Sequence, residues 1–392
     1  MKYINAKEVL PEELVRILQD YVQGCYLYIP KEEQQQVKDA DQTKYGIELE
    51  KRDRHIYERY LEGWGVRPIA DKYHLSESSV RRIVSKQRQQ FDKEVRNMKD
   101  IIQLWNIETG EIKQIYHSAW EISGNYVLKA YDNQKGLKRN TQIMKKLRTM
   151  GIPTAEIIDL KNGEEYASDG EKYYILMRKL PGSNITDIRD NQLSFKMGEI
   201  IGRLHLALQE IENQLDCKDM SLLREINGWV KDGFVKRGWE FVKEEEFLQT
   251  AKELELIYDE LPKQMIHRDV HFGNFLFDNG EFSGYIDFDL TQRNIRIFDI
   301  CYFLSGLLAN EGGFGQSFAK WLETVQAVLS GYESIVSLTQ AERQAMVCVM
   351  KSIELLFVSY FAGLDDLRCS EDAADVYHFI AAHEQEIKDK IG

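Results

Sequence analysis

The chain has 392 residues, 43% of them apolar, and a formal net charge of −13; length and apolar content of this order bury a substantial core in about two or three domains and exclude an intrinsically disordered protein. Its five cysteines are odd in number and widely spaced with no C-x-x-C pair, which speaks against a disulfide framework or a zinc site and for a reducing, cytoplasmic setting. The first residues lack the basic, apolar and cleavage regions of a secretion signal, and no apolar run approaches the ~20 residues that cross a bilayer, so neither export nor a membrane partner is expected.

Charge is unevenly placed. Residues 181–392 sum to −16 and residues 1–180 to +3, with +5 concentrated in 51–90. The acidic part suits a cationic small molecule, whereas the basic stretch is where double-stranded nucleic acid would sit.

Periodicity divides the chain better than composition does. In PEELVRILQDYV, Leu14, Ile17, Leu18 and Tyr21 recur at helical spacing, and GCYLYIP alternates like a short strand stopped by Pro30. The polar segment from Lys31 to Lys44 reads as a mobile connection. Between Arg52 and Arg88 three helical pieces follow: RDRHIYERYLEG, VRPIADKYH and SESSVRRIVSKQR. The last two have a helix-turn-helix arrangement. Ala70 is small where two helices cross, Leu75, Val80 and Ile83 fall where the second helix packs back, and Ser76 can cap it, although His74 stands where such turns often carry glycine. The outward face then presents Ser78, Ser79, Arg81, Arg82 and Lys86 to DNA base edges and phosphates. The front helix and the GCYLYIPK strand resemble Mor-type phage transcription activators, which implies dimerisation through them and a homodimer.

From about Ile101 the pattern becomes strand-like, with turn signals at Thr109-Gly110 and Gly124-Asn125, and predicts a small antiparallel sheet. A helix LKRNTQIMKKLRTMG follows, then strands in AEIIDL and KYYILMRKL closed by Pro181-Gly182. Beyond Asn191 the chain reads mainly helical, with a capping box at Thr339 to Glu342. The exception is MIHRDVHFGNFLFDNGEFSGYIDFD, Met265 to Asp289. There Asn279-Gly280 between apolar arms predicts a two-residue hairpin in which Asn274 lies opposite Tyr285. Asn274 and Asp287 are then diagonal neighbours about 7 Å apart at the open end of the ribbon. Two oxygen-bearing side chains converging there suit Mg²⁺, with Asp269 nearby as a free acid able to accept a proton from an attacking hydroxyl. These are the parts that phosphoryl transfer needs.

The run HRDVHFGN followed by IDFD resembles the aminoglycoside phosphotransferase and choline kinase type of protein-kinase-like enzymes, over roughly Trp105 to His383. The resemblance implies Asp269 as catalytic base, Asn274 and Asp287 as ligands of Mg²⁺ beside the nucleotide, and His267 as a loop brace. His271 matches the family's frequent second histidine and Asp299 its structural aspartate. Lys129, a charge in the middle of an apolar strand, would grip the phosphates of ATP or GTP, and backbone groups of Arg178 and Leu180 would bind the adenine. One departure is Asn140, which stands where the family's helix supplies a glutamate for that lysine, with Gln142 nearby; a second is the glycine-poor loop at YHSAWEIS.

The expected fold is therefore α+β and bilobal, protein-kinase-like, with an antiparallel β-rich N-lobe at 99–180 and a mainly helical C-lobe at 181–392. A helix-turn-helix domain at 1–98 precedes it. The expected activity is ATP-dependent phosphotransfer to a hydroxyl of a small molecule, aminoglycoside-like, amino-alcohol or sugar. Asn140 and the front domain motivate the alternative, a transcription regulator whose kinase-like part is a catalytically weak or inactive sensor of a nucleotide or ligand.

Overall fold

The computed structural model describes residues 52–392 except 54, 58, 61, 62, 74, 117, 186, 187, 189 and 310–316. The expected helix at 11–22, the strand ending at Pro30, the connection from Lys31 to Lys44 and the turn residue His74 lie outside the described residues, as do the Mor-like dimerisation elements. By internal contacts the chain divides into two compact units, Met1–Arg96 and Asn97–Gly392.

In the first unit, helix α1 (Val66–Lys72) is followed by helix α2 (Glu77–Ile102), whose last six residues belong to the second unit. The Ser79 amide donates to Ser76 Oγ at 3.1 Å, the bond of an N-cap. Ile69, Ala70, Val80, Ile83 and Val84 form a small core with Ile56 and Tyr57, and Leu75 packs against it. Helix α2 runs well past the expected end at Arg88. Met98 and Ile102, four residues apart, are both buried on it, so Ile101 and Ile102 close a helix rather than open a strand. Trp105 follows, fully buried, its indole N–H donating 2.7 Å to Ile158 O.

The second unit begins with strands β1 (Ile112–Tyr116), β2 (Ala119–Ile122) and β3 (Tyr126–Tyr131). Most of YHSAWEIS is thus strand, and β1 and β2 pair right up to Tyr116 and Ala119. Helix α3 (Gln134–Thr149), capped by Asn133, buries Leu137, Ile143, Met144 and Leu147. Strands β4 (Ile157–Ile158), β5 (Ala167–Ser168) and β6 (Tyr173–Arg178) complete, among the described residues, a six-stranded antiparallel sheet. Its order is β1-β2-β3-β6-β4, with β5 also on β6. Alternation along β3 buries Leu128 and Ala130 on one face and turns Lys129 to the other.

Strand β7 (Ser183–Asn184) follows the Pro181-Gly182 linker, then helices α4 (Asn191–Ile211), α5 (Leu222–Glu225), α6 (Lys231–Arg237) and α7 (Glu244–Ile257). A π-helical turn, Ile226–Val230, lies between α5 and α6. After β8 (Lys263–Ile266), the hairpin β9 (Phe275–Asp278) and β10 (Glu281–Tyr285), and β11 (Gln292–Ile295), the remaining elements among the described residues are helices. It comprises α8 (Phe298–Gly306), α9 (Phe318–Glu333), α10 (Gln340–Gly363), α11 (Leu367–Ala382) and α12 (Glu384–Ile391). The capping box at Thr339 and Glu342 starts α10. By length and composition α10 could cross a bilayer, contrary to the expectation that no apolar run is long enough, Lys351 and Glu354 interrupting it in the sequence; most of it is buried inside the protein, as in a core helix.

Candidate active site

Two loops are brought side by side by strand pairing. Ile266, the end of β8, pairs with Gln292, the start of β11; Phe275, the start of β9, pairs with Tyr285, the end of β10. Residues 267–274 and 286–291 therefore leave the same ends of two ribbons. The Ile286 amide donates to Asn274 O at 3.1 Å, and His267 Nε2 lies 3.3 Å from Ile286 O, tying one loop to the other. Burial pulls the His267 imidazole below its ordinary pKa, so its neutral ring donates to that carbonyl as the expected loop brace would.

The hairpin differs from the expected register. Asn279 and Gly280 turn with positive φ as predicted, and Glu281 opposes Asp278, but a bulge between Phe282 and Gly284 shifts later pairs by one, so Tyr285 opposes Phe275. Ser283 is the extra residue, its hydroxyl donating to Pro181 O at 2.6 Å. Asn274 accordingly closes a 3₁₀ turn, Phe272–Asn274, and Asp287 lies beyond the strand with φ of 60°. The two are joined through the loop–loop bond rather than as cross-strand neighbours. The turn itself is clamped by Asn184, whose Nδ2 donates to Phe272 O, Gly273 O and Phe275 O at 3.0, 2.8 and 3.1 Å.

Asp269 is held from several sides. Its Oδ2 accepts from Asn274 Nδ2 at 3.0 Å, its Oδ1 accepts from Tyr302 hydroxyl at 3.2 Å, and His271 Nε2 stands 3.5 Å from Oδ2. Burial pushes its carboxyl up, but the hydrogen bond and charge of His271, with His267 and Asn274, pull it net below the usual carboxylate value. It is thus an ionised acceptor at neutral pH. Asp299, fully buried at the start of α8, accepts the backbone N–H of His267 and of Arg268, each at 2.9 Å, which fixes the loop just before Asp269. Arg268 adopts φ of 75°, sends two bonds to Glu225 at 3.2 and 3.0 Å, and sets its guanidinium 3.9 Å from the Phe298 ring centre.

Lys129 reaches this place from β3. Its Nζ lies 3.0 Å from Asp287 Oδ1 and 2.9 Å from Asp289 Oδ2. Burial works to lower its pKa, yet Tyr131, Asp289 and Asp287 outweigh that and leave it above the ordinary value, so it stays protonated. Asn140 does not meet Lys129 as the usual glutamate would; its Nδ2 donates to Asp289 Oδ1. The expected hinge is partly committed. The Arg178 amide donates to Glu156 O at 2.8 Å, so Arg178 has its carbonyl rather than its N–H to offer a base, and Leu180 lies half-buried two residues on.

The donor set fits a hard cation. Asn274 spends its amide nitrogen on Asp269 O and Oδ2, at 2.9 and 3.0 Å, which leaves its oxygen to ligate beside the half-exposed carboxylate of Asp287. Among the described residues no group of three or more His, Cys, Asp or Glu is arranged to hold an ion alone. That suits a metal completed by substrate phosphates.

In the first unit, Ser78, Arg81, Arg82 and Lys86 are exposed on α2 and Ser79 is half-buried. Arg81 is engaged with Glu77 at 3.1 Å.

Sequence reasoning missed Asp289, Tyr302, Glu225 and Asn184. Asp289 was open to discovery as the second acid of IDFD. Tyr302, three residues after Asp299 on one helix, was a weaker signal. Glu225 and Asn184 act across long stretches of chain and leave no local trace.

A homoserine kinase from Gluconobacter oxydans (strain 621H) is 24% identical over 244 residues, 60% of this chain and 74% of its own. The uncharacterized protein YraL of Bacillus subtilis (strain 168) is 33% identical over 84 residues, 21% of this chain and 97% of its own. The structure of amicoumacin kinase hAmiN, in complex with AMP-PNP, Ca²⁺ and Ami, superposes with a TM-score of 0.56 at 19% identity, over 78% of this chain and 96% of that one. The profile of the phosphotransferase enzyme family matches residues 107–334, a span that holds Lys129, both loops and Asp299, and the chain belongs to that family.

Proposed function

We propose that this phosphotransferase moves the γ-phosphoryl group of ATP to the hydroxyl of a small molecule. The observation that carries the reading is the meeting of Lys129 with Asp287 at 3.0 Å beside the loop that holds Asp269. Those residues, remote in sequence, supply positioning and charge where phosphoryl transfer needs them. Asp269 orients the acceptor hydroxyl and takes its proton, and Lys129 holds the nucleotide phosphates. Asn274 and Asp287 would hold Mg²⁺, which when bound neutralises phosphate charge. Leu180 and the Arg178 carbonyl would face the base, for which ATP or GTP both serve. The hAmiN complex with a nucleotide analogue and a divalent ion is consistent with that donor and metal class.

The acceptor is a small alcohol bearing an amine. The net −16 of residues 181–392 favours a cationic partner, and the Gluconobacter relative is named for homoserine, an amino acid with a primary hydroxyl. A nucleotide-dependent enzyme of this kind belongs in the cytoplasm. The test is ADP release with Mg²⁺ across homoserine, aminoglycosides, small amino alcohols and neutral sugars. Turnover with an amino alcohol that disappears in Asp269→Ala is expected; full activity of that variant would exclude Asp269 as base. A neutral sugar as best acceptor would remove the argument from charge.

The ligand-sensor alternative rests on Asn140 and on the front domain; Asp289 provides Lys129 with a carboxylate, which weakens the first of these grounds. A DNA-binding role for the first unit is proposed beside phosphotransfer, on the capped start of α2 and its exposed Arg81, Arg82 and Lys86. Gel-shift of the whole chain on double-stranded DNA, with Arg82→Ala and Lys86→Ala, tests it. Loss of phosphate contacts lowers affinity evenly across sequences and flattens its salt dependence; equal binding by both variants would leave this unit without that role. The homodimer implied by its Mor-like front is open to sedimentation of the same protein.

A further inference from the structure

In this chain the carboxylate that steadies the strand lysine comes from the loop and not from the helix. Asp289 Oδ2 is 2.9 Å from Lys129 Nζ, and Asp289 is itself seized twice by α3. Asn140 Nδ2 donates to Asp289 Oδ1, and Arg139 Nη2 donates to Asp289 O at 2.9 Å. Asn140 is 2% exposed, so this contact, and not water, satisfies its amide nitrogen.

We propose that Asp289 is the positioning residue of Lys129, holding its ammonium where the nucleotide phosphates arrive, and that Asn140 and Arg139 hold Asp289 in turn. The chemistry requires the exchange at both ends. An ionised carboxylate at position 140 has no proton to give to Asp289 and would put a third anion beside Asp287 and Asp289, with Lys129 the cation between them. An amide at 140 donates instead, and net charge around the ammonium is kept lower. Asn140, which looks like the loss of an ion pair, is the complement of an acid moved to the loop. The move has a consequence for coupling. The anchor of Lys129 and the candidate metal ligand Asp287 now lie two residues apart on one segment, so a shift of α3 is transmitted to that segment through Arg139 and Asn140.

The inference rests on the proposed role of Lys129 in holding phosphate, and it is tested by readouts that do not need turnover. Mg·ATP affinity by calorimetry and amide hydrogen exchange of residues 134–149 are measured in wild type, Asp289→Asn, Asn140→Asp and the double variant Asn140→Asp/Asp289→Asn. Each single change is expected to weaken Mg·ATP by about tenfold or more, as befits a charge-assisted bond lost, and to speed exchange in α3. The double variant exchanges amide and carboxylate at equal length, and is expected to recover a large part of both losses relative to either single change. Asp289→Asn with wild-type affinity and wild-type exchange would overturn the proposal. So would a double variant no better than the worse single one, since a misfolded or merely charge-sensitive site gives that result. Wild type that binds no nucleotide, while exchange still follows the pattern given, would sink the functional reading and leave the Asp289 anchor standing as a structural link.

Discussion

His205 on α4 and Asp299 on α8 meet in the core, Nε2 to Oδ2 at 3.1 Å, with both side chains fully buried. The other ring nitrogen lies 2.9 Å from the hydroxyl of Tyr332 on α9. Asp299 thus collects three bonds, from one imidazole and two backbone amides of the loop that carries Asp269, and replacing it by alanine strands all three donors. Asp299→Ala is expected to lose about 3–5 kcal/mol of stability, in the range for breaking a buried pair from one side. His205→Gln, which keeps a donor near the site, is expected to lose less. Urea denaturation at constant m-value checks both, and equal midpoints for Asp299→Ala and wild type would show that the loop is held by other means.

With Asp269 as the proposed base, the acid limb of activity is expected to follow from its environment. Burial raises its carboxyl, and His271 leads the groups that bring it net below the ordinary range. A depressed carboxyl contributes stability above its unfolded pKa and loses it as pH falls through the folded one. Turnover should therefore be flat across neutral pH and fall only below the usual carboxylate range. His271→Ala removes the partner that does most to hold the Asp269 carboxyl down, so its acid limb is expected to shift upward. A kcat/KM profile against pH reads this directly, and an unmoved limb would exclude His271 as the group that tunes the base.

What the sequence could and could not reveal divides along contact distance. The sheet, α3, the Asn279-Gly280 turn and the cap of α10 are written in short patterns, as are Asp269, Asn274 and Asp287 on neighbouring loops. The hairpin register was misjudged because a bulge at Ser283 adds one residue that alternation does not announce. The end of α2 was misjudged because β-branched Ile101 and Ile102 fit a strand as well as a buried helical turn. Asn140 stands out in the sequence, but its meaning depends on Asp289, 149 residues away. No window of local sequence contains that pair.

Glu354 predicts an unusual pH dependence. It is buried on α10, and burial lifts its carboxyl from an ordinary 4.5 to about 7, against a smaller pull from Ser305. Between those values the unfolded chain releases a proton that the folded one keeps, so stability falls as pH rises from about 4.5 to about 7 and is level above. Glu354→Gln removes the cost of ionising a buried acid. It is expected to be more stable than wild type by about 2–3 kcal/mol near pH 8 and to lose that advantage near pH 4.5. Thermal melting at both pH values decides; a variant less stable at both would mean that the ionised carboxylate has a partner.

The pair of Arg268 and Glu225 couples the loop that carries Asp269 to α5, and its two members are unequal. Glu225→Ala leaves a guanidinium that is largely buried, bonded to no carboxylate and stacked only on Phe298, and is expected to lose about 3–5 kcal/mol. Arg268→Gly removes that charge and also relieves a left-handed backbone, which costs a residue with a side chain about 1 kcal/mol or more. The double variant Glu225→Ala/Arg268→Gly is therefore expected to be more stable than Glu225→Ala alone, a coupling that a double-mutant cycle measures. Additive losses would show that the two side chains contribute separately. Turnover adds a second reading: because Arg268 precedes Asp269, Glu225→Ala should lower kcat more than it raises KM for ATP, as expected when a base is displaced and the nucleotide site is not.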